Sequence, residues 1–172
     1  SVNFNGGGDY ISIGNSLVDN LNRASVSLWF KADDITTQQY IYSSPDVSSG
    51  TNGFDIHIQS GLIRTYVKTA AGSINVNSTQ APVIGDWTHV ALVADGTTQK
   101  LYINGVFDNS AANDTDSYSI EADAGAAFIG RFGSYGAYFN GEVRDVKVYD
   151  NGLTASQVDL LFKGQWIGSP QH

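Results

Sequence analysis

The chain has 172 residues, with 9 basic and 17 acidic side chains and a formal net charge of −8 at pH 7. This length fits one well-buried domain and is short for two. The charge argues against nucleic acid as a partner, because phosphate binding needs clustered Lys and Arg. Membrane insertion is not expected either, since the sequence has no apolar run near the ~20 residues that span a bilayer. The absence of cysteine excludes disulfides and thiolate metal sites.

The N-terminal half predicts a series of short strands. Residues 2–4 and 10–13 are apolar-rich runs around the turn Gly6-Gly7-Gly8-Asp9. Residues 24–31 alternate apolar and polar side chains, and Trp29 falls on the second face, which indicates a strand covered on both sides. Further strands are predicted at residues 39–43, 54–58 and 62–68. Turn signals about ten residues apart are typical of a sandwich or a barrel.

Residues 87–106 give the clearest β signal in the chain. Val90, Leu92 and Ala94 recur at every second position, and the same spacing continues with Leu101 and Ile103 after a Gly-containing turn at residues 95–99. Asn104-Gly105 then predicts a second tight turn, because both central residues of a type I′ turn need φ > 0. Three antiparallel strands are therefore expected here, and the polar residues 107–121 are expected to form a surface loop.

The C-terminal part predicts two more strands and one helix. Residues 126–130 and 141–149 are the strands, and Val143 is out of step with Val146 and Val148. An extra residue at Arg144-Asp145 would restore the alternation, as a β-bulge does. Thr154 and Gln157 form a capping-box pattern before a run with helical spacing, and Gly164 is a suitable helix stop.

This order of elements resembles the laminin G-like branch of the concanavalin A-like lectin/glucanase superfamily. Residues 36–82 match only as a pattern of strands. Four other segments carry the resemblance: VNFNGGGDYISIG, ASVSLWFKADD, WTHVALVADGTTQKLYINGV and AFIGRFGSYGAYFNGEVRDVKVYDNGLTASQV. The resemblance implies an all-β, two-sheet antiparallel jelly-roll sandwich with one short C-terminal helix, as a single domain over residues 1–172. It also implies a module, mostly non-catalytic in this group, that binds glycans or protein surfaces.

Catalysis is considered because glucanases and polysaccharide lyases share this fold. Glucanases of the superfamily carry a Glu-x-Asp-x-x-Glu run, and the only glutamates here, Glu121 and Glu142, do not lie in one. The strand that contains His57 is similar to the one that bears the Gln/His pair of the fold's alginate lyases. The Arg-rich and Tyr-bearing strands of those enzymes have no counterpart. No catalytic residue is predicted, and His57 is expected to fill an ordinary strand position.

The resemblance implies a structural calcium that joins the N-terminal turn to the last strand. Calcium takes six to eight oxygen ligands, from carboxylates and backbone carbonyls. The Gly6 carbonyl and the Asp9 carboxylate are candidates, and a bulge at Arg144-Asp145 would direct the Asp145 carboxylate toward the same end of the sandwich. The alternative is that Asp9 caps a turn and Asp145 pairs with Arg144.

Two segments are candidates for glycan contact. Residues 132–140 place four aromatic side chains in a glycine-rich stretch, and aromatic rings can pack against the apolar face of a pyranose. Tyr135 and Tyr138 are the predicted contacts, since the flanking phenylalanines equally fit sealing the end of the sandwich. Residues 44–54 are the second candidate, with Asp46 and Asn52 facing ligand, although this segment equally fits a plain connection.

The sequence therefore favours a non-catalytic carbohydrate-binding or adhesion module of a larger secreted, cell-surface or virion-surface protein. The alternative is a structural or protein-interaction module without glycan binding, and a polysaccharide lyase or glucanase comes third. Trp166 is expected to pack back onto the sandwich. The predicted core comprises Leu28, Phe30, Trp87, Val90, Leu92, Leu101, Ile103, Val146 and Val148.

Overall fold

A computed structural model describes residues 1–46, 51–122, 126–133 and 136–168, with no side-chain description at positions 46, 51 and 52. Its elements in chain order are β1 (Val2–Asn5), β2 (Ile11–Ser12), β3 (Ala24–Ala32), β4 (Gln39–Asp46), β5 (Thr51–Gln59), β6 (Leu62–Thr69), β7 (Gly72–Asn77), β8 (Thr88–Ala94), β9 (Thr98–Ile103), β10 (Val106–Ala112), α1 (Thr115–Tyr118), β11 (Phe128–Ile129), β12 (Asn140–Tyr149) and α2 (Ala155–Phe162).

The strands form two antiparallel sheets of six. Sheet A has the order β1-β12-β3-β8-β9-β10, and sheet B has the order β2-β11-β4-β5-β6-β7. Their inner faces enclose one hydrophobic core. The predicted all-β sandwich with a short C-terminal helix is confirmed.

The core follows the alternation along the strands. Sheet A contributes Phe30 and Leu92, and sheet B contributes Phe54 and Ile56, all fully buried. Most of the predicted core is confirmed, with Ile103 and Val146 only partly buried against it. The prediction for Trp87 was wrong. This residue is half-buried and lies immediately before β8, so it does not belong to the buried part of that strand.

The outer face of sheet A is covered by α2. The Trp29 ring stacks on Phe162 of the helix with ring centres 5.5 Å apart, which confirms that β3 is covered on both sides. The predicted capping box is present, because the Thr154 hydroxyl accepts from the Gln157 N–H and the Gln157 side chain accepts from the Thr154 N–H. Gly164 follows the helix with φ of 74°.

The predicted bulge in β12 is confirmed. The pairing of β12 with β3 shifts register between Arg144 and Lys147, and Asp145 adopts a φ of 54°. This shift returns Val148 to the core side after Val143.

Three local expectations differ from the structure. The two N-terminal strands around the glycine turn do not pair with each other, because β1 pairs with β12 in sheet A and β2 pairs with β11 in sheet B. Residues 107–121 are not one loop, since β10 pairs with β9 and α1 follows it. Trp166 is 81% exposed and does not pack onto the sandwich. β1 and β2 were placed by partners distant in sequence, whereas β10 pairs with the adjacent strand β9.

Candidate functional site

A loop of residues 131–139, interrupted at the undescribed positions 134 and 135, lies along the outer side of β4. The Tyr40 N–H donates to the Ala137 carbonyl at 3.0 Å, and the Phe132 ring centre is 4.8 Å from that of Tyr40. At the other end of the loop, a Cβ built on Gly133 would lie 3.4 Å from Pro45 Cγ. The loop therefore reaches the end of β4 where the chain leads toward β5.

This arrangement brings together the two segments that the sequence offered for ligand contact. Tyr138 is half-buried in the loop, whereas Tyr135 lies outside the described residues. Asp46 pairs with Thr51 at the β4–β5 end, and Asn52 follows in β5, so their backbone positions are defined. Their ligand contacts stay a prediction, but Pro45, beside Asp46, meets Gly133 of the loop.

A buried acid–imidazole pair lies beside Tyr40, on the neighbouring strand β5. The His57 Nδ1 is 2.5 Å from Asp55 Oδ1, and the His57 ring stacks on Tyr40 with ring centres 4.6 Å apart. Asp55 and His57 are 0% and 1% exposed. A polysaccharide cannot reach the imidazole in this arrangement, so the pair is suited to holding Tyr40 in place under the loop.

The same face of sheet B carries a further polar network. Arg64 donates from Nη1 to Gln59 Oε1 at 2.8 Å and from Nε to Asn77 Oδ1 at 2.7 Å. His57 Nε2 lies 3.3 Å from the same Gln59 oxygen, which links the network to the buried pair. This cluster was not predicted from the sequence. The signal was present, because Asp55, His57 and Gln59 alternate with the apolar residues of β5.

The residues expected to share a calcium do not lie together. The Asp9 carboxylate accepts from the Asn5 N–H, and Asn5 pairs with Asn140 at the start of β12. Asp145 lies five residues beyond Asn140 along β12, roughly 16 Å from it at about 3.3 Å per residue, and its carboxylate contacts Arg144 at 3.1 Å. The calcium ligands stay a prediction, and this spacing argues against one ion shared by Asp9 and Asp145.

Among the described residues, acidic and imidazole side chains elsewhere do not form another candidate metal site. Across the described ranges, no group of three or more His, Asp or Glu side chains is arranged to hold a metal ion. Asp9 instead closes the glycine turn, as the alternative interpretation had it. The Gly6 N–H in the same turn donates to the Phe139 carbonyl at 3.0 Å.

Two antiparallel six-stranded sheets around one core, with a loop folded onto an outer face, define a lectin-like jelly-roll module. The family comparison agrees with this class: a laminin G-like family model described as the concanavalin A-like lectin/glucanases superfamily matches residues 5–159. The chain belongs to this family.

Solved structures with the same fold include binding domains. A heptameric SAP-like pentraxin from Limulus polyphemus is 20% identical with a TM-score of 0.70, over 93% of this chain and 80% of that one. Domain 4 of AbnA, an extracellular arabinanase from Geobacillus stearothermophilus solved with arabinotriose, is 25% identical with a TM-score of 0.73, over 92% and 74%. The binding domain of botulinum neurotoxin serotype D is 16% identical with a TM-score of 0.68, over 94% and 41%.

A search of curated protein sequences found no match to this chain. Within the part of the chain that the structure describes, neither helix is long and apolar enough to cross a membrane.

Proposed function

We propose that this chain is a non-catalytic carbohydrate-binding module of a larger protein that acts outside the cell. One observation carries the proposal: Gly133, in the described part of the loop of residues 131–139, lies beside Pro45 at the β4–β5 end, so two segments far apart in sequence meet there. The AbnA domain, whose structure contains arabinotriose, supports a glycan as the ligand class.

The glycan contact surface consists of Tyr135, Tyr138, Asp46 and Asn52. A tyrosine ring packs against the apolar face of a sugar while its hydroxyl bonds to water or ligand, and carboxylate and amide groups bond to sugar hydroxyls. The Asp55–His57 pair supports the surface from below by fixing Tyr40, against which Phe132 of the loop packs. The burial of that pair also favours binding over catalysis.

The test begins with a glycan array on the purified protein, with and without calcium. Affinity for the best glycan is then measured for Tyr135→Ala and Tyr138→Ala, together with their melting temperatures. Loss of a stacking ring should weaken binding roughly tenfold and leave the melting temperature nearly unchanged. Tyr118→Ala is the control, because Tyr118 is an exposed tyrosine on α1.

Two outcomes would overturn the proposal. Silence across the array would favour a structural or protein-interaction module. A lower melting temperature without a separate loss of affinity would show that the tyrosines serve the fold and that the ligand surface lies elsewhere.

A further inference from the structure

A pocket of about 390 Å³ opens between the β7–β8 connection and the β9–β10 turn. Its walls include Val83, Val106 and Phe107, which are 63%, 68% and 51% exposed, together with the half-buried Trp87. Folding leaves these apolar side chains exposed around one concavity. Exposed apolar groups that line a pocket are a mark of ligand-binding sites.

The position of the pocket separates it from the loop surface. Ile63 of β6 lines it, and β6 follows the turn at the Gln59 end of β5. The Asp46–Thr51 pair lies at the opposite end of β5. The two surfaces therefore cannot share a single sugar residue.

The pocket is held in shape by hydrogen bonds between its walls. Asp108 is the additional residue where β10 shifts register against β9, between Phe107 and Asn109. Its carboxylate accepts from the Thr79 N–H at 2.8 Å and from the Thr79 hydroxyl at 2.7 Å, which joins the β7–β8 connection to β10. Bulges commonly redirect side chains next to binding sites.

The polar groups of the pocket define the ligand it accepts. Asp86, Asn104 and Asp108 line it, and among the described lining residues there is no lysine or arginine. The Asp86 side chain is exposed and makes no hydrogen bond or ion pair with other described residues. Two carboxylates repel an anionic ligand and accept hydrogen bonds from hydroxyl groups.

We propose that this pocket is a second carbohydrate subsite, specific for an uncharged pyranose. The apolar face of the sugar packs on Phe107 and Val83, and its hydroxyls bond to Asp86 and Asn104. The inference rests on the proposed function for its ligand class, but it does not depend on where the first surface lies. The charges of Asp86 and Asp108 lower the affinity for a uronic acid relative to that for a neutral sugar.

The test titrates the isotope-labelled protein with glucose, galactose and N-acetylglucosamine, and with glucuronate as the charged counterpart, while amide NMR signals are followed. At least one neutral sugar should shift the signals of Asn104, Gly105 and Phe107, and glucuronate should bind more weakly. Phe107→Ala should weaken the neutral sugar roughly tenfold. Asp86→Asn, at an exposed position, should reduce the difference in affinity between the neutral sugar and glucuronate.

Tyr138→Ala makes the two proposals separable. It should leave the pocket titration unchanged while it weakens the glycan selected on the array. If neutral sugars still bind the pocket while Tyr135→Ala and Tyr138→Ala leave glycan affinity unchanged, the second subsite is supported and the first surface is refuted. The second subsite is refuted if no neutral sugar shifts these signals, if glucuronate binds equally well, or if Phe107→Ala and Asp86→Asn both bind as the unaltered protein does.

Discussion

The guanidinium carbon of Arg144 lies 4.6 Å from the centre of the Trp87 ring. It also lies 4.7 Å from the centre of the Trp29 ring, so one cation contacts two indoles on the outer face of sheet A. Lys31 approaches Trp87 as well, at 5.4 Å. This contact explains why Trp87 is half-buried, because its ring serves the outer face of the sandwich and one wall of the pocket rather than the core.

Replacing Arg144 tests the energy of this contact. We expect Arg144→Gln to lower the free energy of unfolding by about 1 kcal/mol, since a partly desolvated cation over aromatic rings contributes roughly that much. Arg23→Gln is the control, because the ion pair of Arg23 with Asp116 is exposed and such pairs contribute little. Urea unfolding measures both variants, and equal losses would refute a special role for Arg144.

Truncation of the core should be far more costly than truncation of a large exposed ring. Phe30→Ala removes a fully buried ring and should lower the free energy of unfolding by about 3–5 kcal/mol, from lost transfer energy and a residual cavity. Trp166→Ala removes an exposed indole and should change it by less than about 0.5 kcal/mol. Chemical denaturation distinguishes the two, and similar costs would contradict the burial described here.

The capping box of α2 gives a smaller, local prediction. Thr154→Ala leaves the Gln157 N–H without its side-chain acceptor and should lower the free energy of unfolding by about 1 kcal/mol. Ser156→Ala is a matched control in the same first turn, since Ser156 is exposed and makes no capping contact. If both variants lose the same stability, the cap is not responsible.

Burial of His89 makes stability depend on pH. Desolvation, with a smaller contribution from the charge of Lys147, lowers the pKa of His89 from 6.5 to about 4. Below pH 6.5 the unfolded chain therefore binds a proton that the folded chain does not, so stability falls as the pH falls. The loss between pH 7.5 and 5 should be about 2 kcal/mol.

The variant His89→Gln identifies the group responsible. A glutamine side chain can keep the hydrogen bond that His89 Nε2 makes with Ser27 Oγ at 2.8 Å, but it does not titrate. Its free energy of unfolding should therefore be nearly the same at pH 7.5 and pH 5. A slope as steep as that of the unaltered protein would assign the effect to another group.

The separation of Asp9 from Asp145 gives a test with calcium. Because Asp145 lies too far along β12 to share an ion with Asp9, Asp145→Asn should not alter the response of the melting temperature to calcium chloride or to a chelator. Asp9→Asn is the comparison variant. A smaller calcium-induced rise in Asp145→Asn would show that this carboxylate does reach a bound ion.

The sequence by itself determined many of the local elements and the faces that they bury. Alternation in residues 88–103 predicted β8 and β9, and the Thr154 and Gln157 pattern predicted the cap of α2. The phase slip after Val143 even located the bulge at Asp145. These features depend on backbone preference and on burial of one face, which are properties of neighbouring residues in the chain.

Only the tertiary structure decided which distant segments meet. No local pattern assigned β1 and β2 to different sheets, placed Gly133 beside Pro45, or packed Phe132 against Tyr40. Nor did one show that Asp9 and Asp145 lie apart, since this follows from the register of β1 on β12. Strand pairing and loop docking are set by packing between residues far apart in sequence. Alternation predicts which face of a strand is buried, but it does not predict the strand with which it pairs.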